Sequence, residues 1–496
     1  MYSRCRQKHT AACGALAIWL YSLMMRSWLL ALGVALLIPG RIEPQVASAG
    51  PALPPALVPG KILSSIQCVG HPQESYALYL PSNYSEDHTW PVIVSSDPAA
   101  RGTAPLELQK DAAERLGYIL AASNNSRNGP WRPRLEATEA MLNDLQARVP
   151  IDKQRLYFAG FSGGARASSL FASRCKCSAG VLLGGAGFSE APASAQDSLF
   201  PVFLAVGTLD FNYKEVVPLG DTLRKLGYPC WLRVFMGTHQ WPPAAVMEEA
   251  LAWFRIQAMK SQGESRDQRF VDAQFSEAVA RAQSLERSQD FLGAWREYVQ
   301  IAATYDSLAD VGVIRAKAEA LEKDKPVRDA LKREKSEFDQ QSRLTSEITS
   351  LIAVSQQSDD DRLAASREIR QQILQLRLTS EHAKRPEQAR VFQRALGEVF
   401  VMAMESGDSL VEGKKYPGAV LSYDCATQAR PESEWAWRQL AVAWALSGDR
   451  KEAMKALHQA VQVSTDKGQF ARWLEGERAF NNLQSTPEFQ SLAQPH

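Results

Sequence analysis

The stretch RLYFAGFSGGARASSL (residues 155–170) joins an apolar run, a glycine–serine turn and a run of small residues. An uncharged run such as Leu156 to Phe161 suits a strand buried on both faces. The small residues after it open a helix. Between them Ser162 stands in Gly160-Phe161-Ser162-Gly163-Gly164. A sharp strand-to-helix turn lifts such a hydroxyl above the sheet edge and needs glycine on both sides, where side chains would clash. The helix N-terminus then favours developing negative charge. The pentad alone is weak, since composition supplies it by chance in about one chain in ten of this length. Its context gives it weight.

Outward from this point, residues 62–258 alternate short apolar runs with helical patterns. Strands are expected at 75–81, 90–96, 117–123, 155–161, 179–185, 201–207 and 230–236. Helical patterns lie between them, among them LELQKDAAERL, RLEATEAMLNDLQARV and AVMEEALAWFRIQA. This alternation predicts an α/β fold with a mostly parallel sheet and flanking helices. After Ser261 the strand signals stop, and an all-α region is expected to follow.

A serine is a poor nucleophile without a base and an orienting acid. Of the seven histidines, His9 lies in the N-terminal apolar segment, and His382, His458 and His496 in the helical half. His71 and His88 precede the serine strand. Only His239, in FMGTHQW, follows the last strand candidate, and Asp210, in VGTLD, follows the strand before it. The order serine, acid, histidine at successive strand ends is that of the α/β-hydrolase architecture.

The phrases GFSGGA, VGTLD and GTHQWPP are similar to those of secreted esterases of the α/β-hydrolase superfamily, of the polyhydroxybutyrate-depolymerase and dienelactone-hydrolase-like kind. The resemblance covers residues 62–260 and implies carboxylic ester hydrolysis, with Ser162 as nucleophile, Asp210 as orienting acid and His239 as general base. Family members commonly carry His-Gly after the third strand, where this chain has Ser95-Ser96-Asp97-Pro98-Ala99-Ala100-Arg101. Pro98 has no N–H, so the amides of Ala99 and Gly163 are the expected oxyanion donors. Asp97 there would repel an oxyanion unless paired with Arg101 or Arg166. The loop SNNSRNGPW (123–131) suggests substrate contacts from Asn125, Arg127 and Trp131, and Trp241 stands beside His239. Self-satisfying Asx turns and a structural tryptophan explain the same residues. Two other uses of the constellation are a serine peptidase and a catalytically degenerate binding scaffold.

The helical half contains a repeat. Ala419 and Ala453 are 34 residues apart, each in a pattern of small residues at helix crossings and bulky residues between them. Residues 400–467 thus resemble two tetratricopeptide repeats, a family that binds protein partners. Thr465 departs from the proline usual there, whereas Pro431 keeps it. A degenerate copy is expected near 275–308 within the helical region 261–399, and a C-terminal helix or tail at 468–496. Residues 320–395 show no clear period.

The N-terminus reads as a targeting segment. A basic start, the apolar run SWLLALGVALLI and Ala47-Ser48-Ala49 predict a secretory signal over 1–49, cleaved after Ala49. The alternative is an uncleaved anchor, which would make the chain membrane-bound rather than secreted or periplasmic. GPALPPALVPG begins a Pro-rich spacer at 50–61. Formal net charge is only +1, and the basic residues are interleaved with acids, which excludes nucleic acid as the main partner. No phosphate-cradling glycine loop or metal-ligand cluster is legible, so no cofactor or metal is expected; the expected ligand is a small or polymeric ester. Of the cysteines beyond the signal, Cys175 and Cys177 stand too close in sequence for comfortable pairing, and one disulfide plus buried thiols is expected.

Overall fold

The computed structural model describes residues 57–190, 199–354 and 359–493. The signal-or-anchor segment and the start of the spacer lie outside the described residues. In chain order the first part comprises β1 (Ile62–Cys68), β2 (His71–Tyr79), β3 (Trp90–Ser96), α1 (Thr103–Leu116), β4 (Ile119–Ser123) and α2 (Trp131–Arg148). Next come β5 (Ile151–Phe161), α3 (Gly163–Cys175), β6 (Gly180–Gly184), β7 (Val202–Gly207), α4 (Tyr213–Lys225), β8 (Cys230–Phe235) and α5 (Ala244–Lys260). All expected strands form, and β1 is added. Its serines hid it: Ser64 and Ser65 face solvent while Ile66 and Cys68 are buried.

The eight strands form one sheet in the order β1-β2-β4-β3-β5-β6-β7-β8. β1 and β2 pair antiparallel, as do β2 and β4, and every later pair is parallel. This is an α/β-hydrolase sheet with flanking helices, followed by a largely helical C-terminal region. Strands β3, β4, β6 and β7 are buried along their whole length, which explains their unbroken apolar runs.

The helical region comprises α6 (Gln268–Arg287), α7 (Phe291–Tyr305), α8 (Gly312–Lys323), α9 (Lys325–Val354), α10 (Asp359–Glu381) and α11 (Pro386–Glu412). It ends with α12 (Tyr416–Ala429), α13 (Glu434–Ser447), α14 (Arg450–Val463), α15 (Lys467–Gly476) and α16 (Pro487–Ala493). The unplaced stretch 320–395 is occupied by long helices, chiefly α9 and α10. Ala419, Ala453 and Ala460 are fully buried where α11 to α14 pack in pairs, and Gly448 takes φ +90° at the turn between α13 and α14. Ser433 and Asp449 cap α13 and α14 by accepting from Ala436 N–H and Glu452 N–H. Among the described residues no helix is long and apolar enough to cross a membrane.

The helical region is not a separate appendage, because Pro54–His496 is one compact unit. Buried residues of α6 to α8, such as Ala282, Tyr298 and Ile301, join the same apolar core as Phe203, Trp231 and Trp253. β8 is an edge strand, and its Leu232 N–H donates to Gln300 Oε1 of α7 at 2.5 Å. Arg233 on β8 is held between Glu249 of α5 and Glu297 of α7. The edge is thereby closed to other strands.

Among the described residues there is one disulfide beside buried thiols, as expected, but its pairing corrects the sequence reading: Cys175 and Cys177 are bonded to each other. Lys176, at φ 51° in the left-handed region, folds the chain back beyond α3, so the two Cα atoms lie 5.1 Å apart, within disulfide range. Cys68, Cys230 and Cys425 are free and buried. Burial pushes the Cys68 and Cys230 thiols up to about 12.

Candidate active site

Ser162 lies at the β5–α3 turn with φ 54° and ψ −125°, a conformation a non-glycine residue adopts only when its surroundings enforce it. The turn is tight enough to forbid side chains beside it. A Cβ on Gly160 would lie 2.3 Å from the Gly164 carbonyl group, and one on Gly164 would lie 2.0 Å from Ser96 O. Gly160 is therefore dictated by its contact with the start of α3, and Gly164 by the contact of the turn with β3.

His239 follows β8, and its Nε2 lies 2.9 Å from Ser162 Oγ. Its Nδ1 lies 2.9 and 3.0 Å from the two Asp210 carboxylate oxygens. Asp210 is fully buried just beyond β7, where its Oδ1 also accepts from Asn212 N–H at 2.8 Å. The rings of Phe161 and Phe211 stand 4.6 and 4.3 Å from the imidazole. An acceptor on Nδ1 fixes the tautomer in which Nδ1–H donates to Asp210 and Nε2 accepts from Ser162 Oγ–H. Serine, imidazole and carboxylate form a connected relay that can move a proton off the hydroxyl.

Ala99 is not placed as expected. Its amide donates to Asp97 Oδ1 at 2.9 Å, because the carboxylate turns back over the loop that follows it. Arg101 N–H shares that acceptor, Ala100 N–H donates to Asp97 O, and Asp97 N–H donates to Ser126 Oγ. With Pro98 lacking a donor, each N–H from 97 to 101 is already engaged. The Gly163 amide, in the first turn of α3, has no intrahelical acceptor.

Asp97 is paired with Arg101, whose Nε and Nη2 donate at 3.1 and 3.0 Å, while Arg166 pairs with Glu215. Trp241 Nε1 donates to the other Asp97 oxygen at 2.8 Å, so the buried Trp241 holds this loop. Burial raises the Asp97 carboxyl, but the bonds from Arg101, Trp241 and the loop amides outweigh it and hold it below its ordinary value. A carboxylate lowered by folding stabilises fully above about pH 4 and stops stabilising as the pH falls through its folded-state value. Asp97→Asn is therefore expected to lower the melting temperature at neutral pH, with the gap to the native chain narrowing as the pH falls below about 4. Thermal unfolding across that range checks this, and a gap independent of pH would count against it.

Ser162 and Gly163 open into a cavity of about 390 Å³. Trp131, Arg134 and Asn128 line one side, and Glu398, Met402 and Glu405 of α11 line another. Of the expected substrate-loop residues only Trp131 reaches it. Asn125 instead ties the loop to β2 through Ser75 N–H and Gln73 O, and Arg127 is exposed away from the cavity lining. Sequence reasoning missed Arg134, although a signal exists: Arg132 has Glu136 four residues on, whereas Arg134 has no acid at helical spacing. No local signal could have found α11, more than 200 residues beyond the serine.

The helical region also grips the loop that carries Asp210. Arg394 Nε donates to Thr208 O at 2.8 Å and Gln341 Nε2 to Phe211 O at 2.8 Å. Lys214, in the first turn of α4, pairs with Glu398 at 2.9 Å.

No family model matches the chain, and no curated protein does. Solved structures similar to it include the Staphylococcus aureus fluorophosphonate-binding serine hydrolase FphF, at 11% identity over 40% of this chain and 98% of that one, with a TM-score of 0.32. A Pyrobaculum calidifontis esterase is 13% identical over 41% of this chain and 87% of its own, with a TM-score of 0.32. A ferulic acid esterase is 16% identical over 39% and 97%, with a TM-score of 0.31. The fold assignment rests on the sheet order and the turn at Ser162, not on these likenesses.

Proposed function

We propose that the chain is a serine hydrolase acting on carboxylic esters through an acyl-enzyme. The observation that carries this reading is the unbroken relay Ser162–His239–Asp210 at 2.9 to 3.0 Å. Ser162 Oγ attacks the ester carbonyl carbon while its proton passes to His239 Nε2. The tetrahedral oxyanion collapses, the carbon–alkoxide bond breaks, and the alcohol leaves with the proton from Nε2. Water then attacks the acyl-enzyme, giving its proton to His239, and the acid departs as Ser162 regains its hydrogen. Asp210 holds the imidazole and balances the imidazolium charge.

For the oxyanion, the Gly163 amide is one donor. The Asn128 carboxamide, with Oδ1 nearest Gly163 and Nδ2 beside it, borders the same cavity, and in this reading its Nδ2 takes the place of the engaged loop amides as the second. Asn128→Ala is expected to lower kcat by about 10²–10³-fold with KM little changed. Steady-state kinetics on p-nitrophenyl esters check this; an unchanged kcat would remove Asn128 from the oxyanion site. Incubation of the full chain with a fluorophosphonate and mass spectrometry of the Ser162 peptide tests the hydrolase reading itself. A folded chain left unmodified would favour the scaffold alternative, to which the closed 97–101 loop lends support.

In this reading the chain is exported, with residues 1–49 removed as a signal. The α11–α14 pairs are a tetratricopeptide-like element whose outer surface receives a protein partner.

A further inference from the structure

Arg134, in the first turn of α2, is 5% exposed and lines the cavity beside Ser162 and Gly163. Its Nη2 donates to Gly163 O at 2.5 Å, but its buried Nε meets no acceptor. Among the described residues no carboxylate pairs with it. Burial depresses its guanidinium, and no neighbouring acid offsets this. A buried cation without a counter-charge is costly, and holding one carbonyl oxygen needs only a neutral donor.

The other charges of the cavity have partners or lie across it. Arg166 is bonded through both terminal nitrogens to Glu215. Glu398 is paired with Lys214 and accepts from Gln341. Glu405 is open to solvent on the α11 wall, where surrounding atoms and Asp408 raise its carboxyl against the pull of Arg166 and His239. The cavity thus has an uncompensated cation on its α2 wall and an acid on its α11 wall. The Trp131 ring lies 4.9 Å from the Arg134 guanidinium carbon, and stacking of that kind leaves the in-plane N–H groups free for a planar anion.

We propose that Arg134 is the anchor for a carboxylate on the substrate, so that the chain selects esters carrying a free acid group on the acyl side. The inference rests on the serine hydrolase reading. The carboxylate supplies the missing counter-charge, and the guanidinium binds it through charge-assisted N–H···O bonds.

The test uses the full chain with mono-p-nitrophenyl glutarate and its methyl ester. The free acid is expected to show a kcat/KM at least about tenfold higher, and Arg134→Gln to bring the ratio to about one. Arg134→Lys, which keeps the charge but loses the planar fork, is expected to retain part of the preference and serves if the glutamine variant fails to fold. Ser162-dependent turnover with a ratio at or below one in the native chain overturns the proposal and leaves the hydrolase reading intact. Absence of both turnover and fluorophosphonate labelling removes the hydrolase reading, and calorimetry with glutarate then decides. Glutarate binding that is lost in the Arg134 variant supports the anchor; no binding at millimolar glutarate overturns it.

Discussion

Ser162→Ala is expected to abolish fluorophosphonate labelling and to lower turnover of short p-nitrophenyl esters by about 10⁴-fold or more. The size follows from the chemistry of the relay. A serine hydroxyl is almost wholly protonated at neutral pH, and its only path to a nucleophile here runs through the imidazole 2.9 Å away. His239→Ala removes that path and should cost about as much, since residues acting as one unit are not additive. Asp210→Asn should lower kcat by about 10⁴-fold while leaving the fold in place, because the amide no longer holds the imidazole in the required tautomer. Undiminished turnover in Ser162→Ala would place the chemistry elsewhere, and the cavity between α2 and α11 would lose its assignment.

A chain ended after Lys260 is expected to lose cooperative folding altogether, although 260 looks like a domain boundary. Removing α6 to α16 strips Gln300 from the Leu232 amide, Thr304 from Trp253 Nε1 and Glu297 from the Arg233 side chain. It also exposes the apolar faces that Tyr298, Ile301 and Tyr305 cover. Exposing one large apolar side chain costs about 1.5–3 kcal/mol, and domains are stable by only about 5–15 kcal/mol. Circular dichroism melts and gel filtration of the shortened chain check this. A soluble, sharply melting monomer with native esterase turnover would show that the helices are dispensable. The sheet and α6 to α8 should melt in one transition, because they share a core.

How far the sequence reached depended on the range of the interaction being read. β3 and the turn at Ser162 were legible because an uncharged run and a glycine-flanked serine report local constraints directly. β1 was not, since its exposed Ser64 and Ser65 break the pattern that a buried strand would show. Ala99 was misassigned because Pro98 marks a missing donor but cannot show that Asp97 folds back over its own loop. Cys175 and Cys177 were kept apart by their spacing, and the left-handed Lys176 brought them together.

By itself the sequence determined seven of the eight strands and the helices between them, the position of the elbow, and the residues Ser162, Asp210 and His239 that the fold brings together. These follow from side-chain periodicity and from glycine's lack of a Cβ, which act over a few residues. Tertiary structure alone decided that α11 walls the cavity, that Gln341 and Arg394 hold the Asp210 loop, and that Arg134 faces the cavity without a counter-charge. Those contacts join residues far apart in the chain, through burial and charge pairing that no local pattern encodes.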